Sequence, residues 1–231
     1  VYLKRSLSIS GFFVVIIESI LLRKLNLYIM KTKIKNDNLN FLIKKSILLF
    51  VIIFSLFSCS NDDEPTVYPE ENPLSGYLTS AGFTTNSEVI NAGISSEFGI
   101  EFTPLVKGKI NSLTVNIPDT NPTLIVTIWD ATTKTVLRTE VINVTISNSN
   151  ITKTIGSLSL EKNKKYAITM NSKDYHNRKR PDNSSISYPI SSGNIRVEGY
   201  GWTNSNIQIY PENFEFNYYG GDLTFNFQQT E

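Results

Sequence analysis

Past residue 97 the chain settles into a period of two. Phe98, Ile100 and Phe102 alternate with Gly99 and Glu101, Leu113, Val115 and Ile117 with Thr114 and Asn116, and Leu124, Val126 and Ile128 with Ile125 and Thr127. The spacing returns at Tyr166, Ile168 and Met170, at Ile195 and Val197, at Ile207 and Ile209, at Phe214, Phe216 and Tyr218, and at Leu223, Phe225 and Phe227. Successive side chains of a strand point to opposite faces, so alternation sets one face in a core and the other in water. β-branched and aromatic residues fill these runs, as pleated surfaces prefer. Turn-forming clusters separate them: PDTNP, SNSN, EKNKK, SSGN and YYGGD. No convincing helical period follows Cys59. About nine short strands punctuated in this way predict an all-β fold, an antiparallel β-sandwich that is jelly-roll-like.

The pattern is different upstream. Residues 59–78 carry Pro65, Pro69 and Pro73 among acidic side chains and read as a tether, which leaves 79–231 as the sandwich domain. From Met30 to Ser58 the order is that of a signal peptide: Lys31, Lys33, Lys35, Lys44 and Lys45 precede an apolar run from Ser46 to Ser58. That run is short of the roughly 20 residues a membrane-crossing helix needs. Residues 1–29 hold a second apolar stretch, GFFVVIIESILL, interrupted by Glu18. The chain opens on Val1 and reaches its first Met at position 30, so 1–29 are expected to be an over-extended start outside the fold; the alternative is a genuine membrane-proximal segment.

Charge sharpens this division. The whole chain is nearly neutral, at +1, which gives no basic surface for a nucleic-acid partner. Residues 1–58 nevertheless carry nine Lys/Arg against two acidic residues, and residues 59–231 carry thirteen against nineteen. Cys59 is the only cysteine, so no internal disulfide can form. It stands where the apolar run ends, in Leu56-Phe57-Ser58-Cys59, which resembles a bacterial lipoprotein lipobox with a bulkier Phe57 than is usual. The resemblance implies cleavage before Cys59 and lipidation of its thiol and amine, anchoring the protein by about 0.8 kcal/mol per buried methylene. Asp62, Asp63 and Glu64 follow at once and resemble the acidic surface-export signal of lipoproteins in the Bacteroidetes group. By that resemblance the protein is expected on the outer membrane, facing the cell exterior.

The stretch SSEFGIEFTPLVKGKINSLTVNIPDTNPTLIVTIWDATTKTVLRTEVINV resembles the domain of unknown function 4082 family, through Phe102-Thr103, Gly108-Lys109-Ile110 and Ile128-Trp129-Asp130 in their order. LEKNKKYAITMNSKD, with Asn163 where glycine is common, and YPISSGNIRV and YYGGDLTFNF extend the likeness over about residues 85–229. The resemblance implies a β-sandwich of secreted or surface proteins, often beside sugar-processing modules, and no known catalysis.

The candidate chemistry is sparse. His176 is the only histidine and falls in KDYHNRKR, read as part of a polar loop over 171–187, with no nucleophile motif nearby. One His without a free Cys does not make a zinc site. Glu198, Glu212, Glu215 and Asp222 lie near aromatics and could form the paired carboxylates of a glycan hydrolase. Lys173, Arg178, Lys179 and Arg180 form a basic cluster suited to an acidic glycan or a lipopolysaccharide phosphate. Tyr175, Tyr188, Tyr200, Trp202, Tyr210, Tyr218 and Tyr219 crowd the C-terminal half, where rings either pack strands or stack on sugars. Trp202, between EGYG and TNSN, is expected in a loop and is the leading ligand contact, with Tyr200, Tyr175, Tyr188, Arg178 and Arg180 around it; Trp129 is expected to pack. No cofactor is expected, Ca²⁺ at the turn residues Asp119, Asp130 and Asp222 being the one candidate. These features point to a binding domain for glycan or another extracellular polymer. The alternatives are an adhesion module for an extracellular protein and a hydrolase.

Overall fold

The computed structural model describes residues 21–24, 66–83 and 85–231. Residues 21–24 are helical, and Pro65–Glu231 form a compact unit of their own. Among the described residues no helix is long and apolar enough to cross a membrane. Cys59, Asp62, Asp63 and Glu64 and the signal segment lie outside the described residues.

The compact unit is an antiparallel β-sandwich. Its smaller sheet has the order β1 (Glu70–Glu71), β12 (Asp222–Gln229), β3 (Gly108–Asn116) and β6 (Ile151–Leu160). The larger runs β10 (Asn213–Glu215), β9 (Ile195–Asn204), β2 (Thr85–Pro104), β7 (Tyr166–Lys179), β4 (Asn121–Asp130) and β5 (Thr135–Val144). β8 (Ile190–Ser192) adds to β9 and β11 (Tyr218–Gly220) to β7. The chain changes sheets between β1 and β2, β2 and β3, β3 and β4, β5 and β6, β6 and β7, and β11 and β12, the wiring of a jelly-roll-like sandwich. The alternating residues of the sequence fill the space between: Phe98, Phe102, Leu113, Val115, Leu124, Val126, Ile128, Ile168, Met170, Phe225 and Phe227 are all buried.

Two segments depart from the sequence reading. The first is a helix, α1 (Pro73–Ala81), which begins inside what read as a tether over 59–78 and runs into the start of the sandwich domain. Asn72 caps it by accepting from the Leu74 N–H at 3.1 Å, Pro73 sits where its missing N–H costs nothing, and Gly82 ends it at φ 75. Pro73, Tyr77 and Ala81, four residues apart, are buried. They close the open side of the sandwich, where α1 meets β12 and β8. The Tyr77 ring lies 5.4 Å from Tyr219, 6.3 Å from Phe83 and 6.4 Å from Tyr188, and its hydroxyl meets that of Tyr188 at 2.7 Å. On the opposite side β5 and β6 are joined by Lys153 to Glu140 at 2.7 Å and by Arg138 to the Gly156 carbonyl.

The second is the segment 205–212, which contains Ile207 and Ile209 and is not a strand. It lies across the outer face of the larger sheet as a strap. Asn171 Nδ2 holds its Ser205 and Ile207 carbonyls at 3.1 and 3.4 Å. Gln208 Nε2 bonds Thr139 at 2.7 Å and also Thr127, and the Tyr210 hydroxyl donates to Glu101 at 2.5 Å. The strap covers Trp129 and Ala167, which explains why strand positions on the water-facing side are buried too.

Register divides the unit into two ends. β1 pairs with the last residues of β12, Glu70 opposite Gln228, so the chain enters beside the turns at 105–107, 131–134 and 161–165. The far end gathers the turns at 117–120 and 145–150, the start of β12 and the tail of β7.

Candidate functional site

At the far end the sandwich becomes polar. β7 runs on to Lys179, so residues 171–179, including His176, are a strand and not the expected loop. Its tail pairs with the first half of β2 and with β11. A bulge in β2 between Asn91 and Ser96 resets the register, and β7 then presents polar side chains to the interior. Asp174, buried, accepts from the Asp119 N–H and from the Ser172 hydroxyl, each at 2.9 Å, and so ties the β3–β4 turn to β7. Near the end of the strand Arg178 reaches β12: its Nε and Nη2 donate to the two oxygens of Asp222 at 2.7 and 2.5 Å. Asp222 is 6% exposed, and the charge-assisted bond raises the Arg178 pKa further.

Above this pair opens a cleft of about 570 Å³ between α1 and the outer face of the smaller sheet. Leu74 and Leu78 form one wall; Thr114, Asn116, Asn150 and Thr224 form the other. A second cavity of about 150 Å³, lined also by His176 and Asn148, shares Asn116, Arg178 and Asp222 with the first. Asn116 Nδ2 donates to Asn150 Oδ1 at 3.2 Å, whereas its own buried Oδ1 has no hydrogen-bond partner among the described residues. A buried acceptor without a donor is unfavourable and calls for a partner. Chemically, this cleft offers amides, hydroxyls and one neutralised ion pair beside aliphatic carbon. Such a lining can hydrogen-bond to molecules that both donate and accept.

The residues expected to form a ligand platform are placed otherwise. Trp202 is on β9, paired with Phe98 and Asn213, half-buried against the core, with its Nε1 3.3 Å from Glu215. It is therefore not a loop residue. Tyr200 is 1% exposed, with its ring edge-on to Tyr218 and Tyr219, and burial holds its pKa well above the ordinary value. That closes it to a ligand. Tyr175 packs on Phe98 at 5.0 Å, and burial pushes Tyr188 up to about 12. Arg180 is turned away from the cleft, donating to the Ala81 carbonyl at 2.8 Å and so satisfying the end of α1. Of the six, Arg178 alone lines the cleft. The aromatic crowding of the sequence is packing, around α1 for Tyr188 and Tyr219 and against Trp129 under the strap for Tyr210.

The other candidate groups are separated. Asp119 lies at the far end; Asp130, at the entry end, caps the 131–133 turn, and Lys164 holds its pKa down at about 2. Among the described residues no three His, Cys, Asp or Glu gather around a metal-sized space. Glu198 accepts from Thr103 and Arg196, at 2.5 and 2.9 Å.

One group escaped the sequence reading altogether. Glu97, fully buried under the strap, accepts from Thr169 Oγ1 and, at 3.1 Å, from Asn171 Nδ2. Thr169 in turn accepts from Trp129 Nε1 at 2.7 Å. No cation among the described residues faces the carboxylate, and burial pushes its pKa up to about 7 against these hydrogen bonds. Its only sequence signal was a charge next to the Phe98–Phe102 alternation, which reads as a solvated position.

No family model, curated protein or solved structure matches this chain, so the chemistry of the far end rests on its own side chains.

Proposed function

We propose that this protein is a lipid-anchored lipoprotein of the cell envelope, exposed on the outer membrane, whose β-sandwich binds glycan or a similar extracellular polymer. The anchor reading is supported by the placing of Cys59 at the close of the apolar run and by the acidic residues behind it. The resemblance to the domain of unknown function 4082 family agrees with a surface β-sandwich. The observation that carries the binding reading is the polar cleft itself, at the end of the sandwich opposite the chain's entry. A tether that enters at one end leaves the other free to meet a polymer, and a rigid sheet presents such a site without reorganisation. Protein adhesion is the second reading, favoured by Ile207 and Phe214, 72% and 43% exposed on the strap and β10. Cys59→Ala is expected to release the protein from the membrane fraction; unchanged retention refutes the anchor. A glycan screen of the purified protein tests the binding reading, and silence across it transfers the weight to protein partners.

A further inference from the structure

We infer that the strap over 205–212 is a latch, closed over Glu97 while that carboxyl keeps its proton and released when it ionises. The latch stands apart from the glycan reading of the cleft. The strap joins no strand ladder. The Ser205 N–H donates to the Ser95 carbonyl at 3.0 Å and the Glu212 N–H to Thr203 Oγ1 at 2.8 Å, Asn171, Gln208 and Tyr210 supply side-chain ties, and the Tyr210 ring stands edge-on to Trp129 at 5.6 Å. A segment held mainly by side chains opens at lower cost than the strands beneath it. Asn171 couples it to Glu97. Its Nδ2 carries two hydrogens and faces three acceptors: Glu97 Oε2 at 3.1 Å, the Ser205 carbonyl at 3.1 Å and the Ile207 carbonyl at 3.4 Å. A carboxylate accepts more strongly than a carboxyl or a carbonyl, so ionised Glu97 draws the amide away from the strap. Its remaining lone pairs call for water, which the closed strap excludes.

The surrounding charges do not relieve this. Lys165 is 3.3 Å from Glu101, Lys164 is 2.7 Å from Asp130, and Lys134 lies over the Tyr210 ring at 5.4 Å. Lys173, two residues beyond Asn171 on β7, is exposed and makes no ion pair among the described residues, with Glu97 or any other. On β9 the residue paired with Glu97 is Thr203, and β5 meets the strap through Thr139. Glu101 receives the Tyr210 hydroxyl, Glu215 holds Trp202 Nε1 at 3.3 Å, and Glu212 lies in the strap itself; all three are acids. Burial keeps the Glu97 proton in the closed form up to about 7, whereas a carboxyl bared to water has its ordinary 4.5. Between those values opening releases a proton. The open fraction therefore rises about tenfold per pH unit there and levels off above. Release bares Trp129 and Ala167, an apolar face that the closed form hides.

The test is hydrogen exchange of the purified protein followed by NMR from about pH 5 to about pH 7, each rate divided by the intrinsic rate at that pH to give a protection factor. The reporters are the Ser205 N–H and the Trp129 Nε1–H, which is bonded to Thr169 beneath the strap. Their protection is expected to fall roughly thirtyfold over that range while staying at least about tenfold below that of the core amides of Leu113 and Val115. In Glu97→Gln the fall is expected to shrink below about threefold. Gln208→Ala, which removes the ties to Thr127 and Thr139 without touching Glu97, is expected to lower protection at every pH and to keep the roughly thirtyfold fall. Protection that does not vary with pH in the wild type overturns the latch. A fall that persists in Glu97→Gln also overturns it and assigns the titration to another group, Glu101 first. Equal protection for strap and core overturns it too, since the strap then leaves only when the whole domain unfolds. Gln208→Ala without effect on Trp129 does the same, because the strap is then not what shields that face.

Discussion

Glu97→Gln isolates a carboxyl group that has no charge partner. In the folded state burial raises the Glu97 pKa from an ordinary 4.5 to about 7. The folded protein therefore holds this proton more tightly than the unfolded chain. Below pH 4.5 both states are protonated and the site contributes its full stability; as pH rises through about 7 the folded state must ionise, and that stability is lost. The gap between the two values corresponds to about 3 kcal/mol between the acid and alkaline limits. Glutamine cannot ionise, so the variant escapes this loss. It has a fault of its own. Asn171 Nδ2 donates to Glu97, and its bonds to the Ser205 and Ile207 carbonyls prevent the amide from turning round. The introduced glutamine must then either face this donor with its own NH₂ group or leave Thr169 without an acceptor, at about 1 kcal/mol. Urea denaturation from pH 5 to pH 8.5 is the assay. The variant is expected to lie within about 0.5 kcal/mol of wild type at pH 5, where the unfolded glutamate is already largely ionised, and to be more stable at pH 8.5 by about 2 kcal/mol. A difference constant to within about 0.5 kcal/mol across that range refutes the account, because it removes the titration and leaves only the packing change.

Two further substitutions test the packing around α1 and β9. Tyr77→Ala removes a ring in contact with three other aromatics and is expected to cost about 3–5 kcal/mol in denaturant, whereas Tyr77→Phe, which strips the Tyr188 hydroxyl of its partner, costs about 1 kcal/mol. Equal costs for the two would show that α1 is not held by the ring. Trp202→Ala is expected to lower the thermal midpoint, through about 2–4 kcal/mol of lost packing at a half-buried strand position, and to spare glycan binding at the far-end cleft. An unchanged midpoint with lost binding would return Trp202 to the ligand.

The period of two located the core because it reports one physical fact, the burial of alternate side chains, and Phe98 to Phe102 or Leu113 to Ile117 state it plainly. It failed where burial was two-sided or absent. Trp129, Ala167 and Glu97 face outward on their strands and are covered by the strap, a tertiary contact no local window contains. Ile207 and Ile209 keep the spacing of a strand, yet Gln208 between them is the side chain that binds the sheet, so the isoleucines are turned out, 72% and 36% exposed. For α1 the punctuation was in the text: Asn72 and Pro73 open it and Gly82 closes it. Nine residues with three buried positions are too few for periodicity to outweigh the prolines of the preceding tether.

The cleft was illegible for a different reason. Its parts come from α1, β3, the β5–β6 turn, β7 and β12, and two of its lining residues, Asn72 and Thr224, stand 152 positions apart; each segment is ordinary alone. A run such as KDYHNRKR reads as a solvated loop because its charges have no visible partners. The partner of Arg178 is Asp222, 44 residues on, and that of Arg180 is a helix end 99 residues back. Pairing inverts their meaning. A cluster that reads as an anion site becomes a structural brace, and polarity is left to amides and hydroxyls that carry no motif. Charge counted along a chain therefore overstates the charge available to a ligand wherever acidic residues can fold onto it. Here nineteen acidic side chains face thirteen basic ones after residue 58, and eight of the thirteen make ion pairs among the described residues, Lys173 of the basic cluster not being one of them.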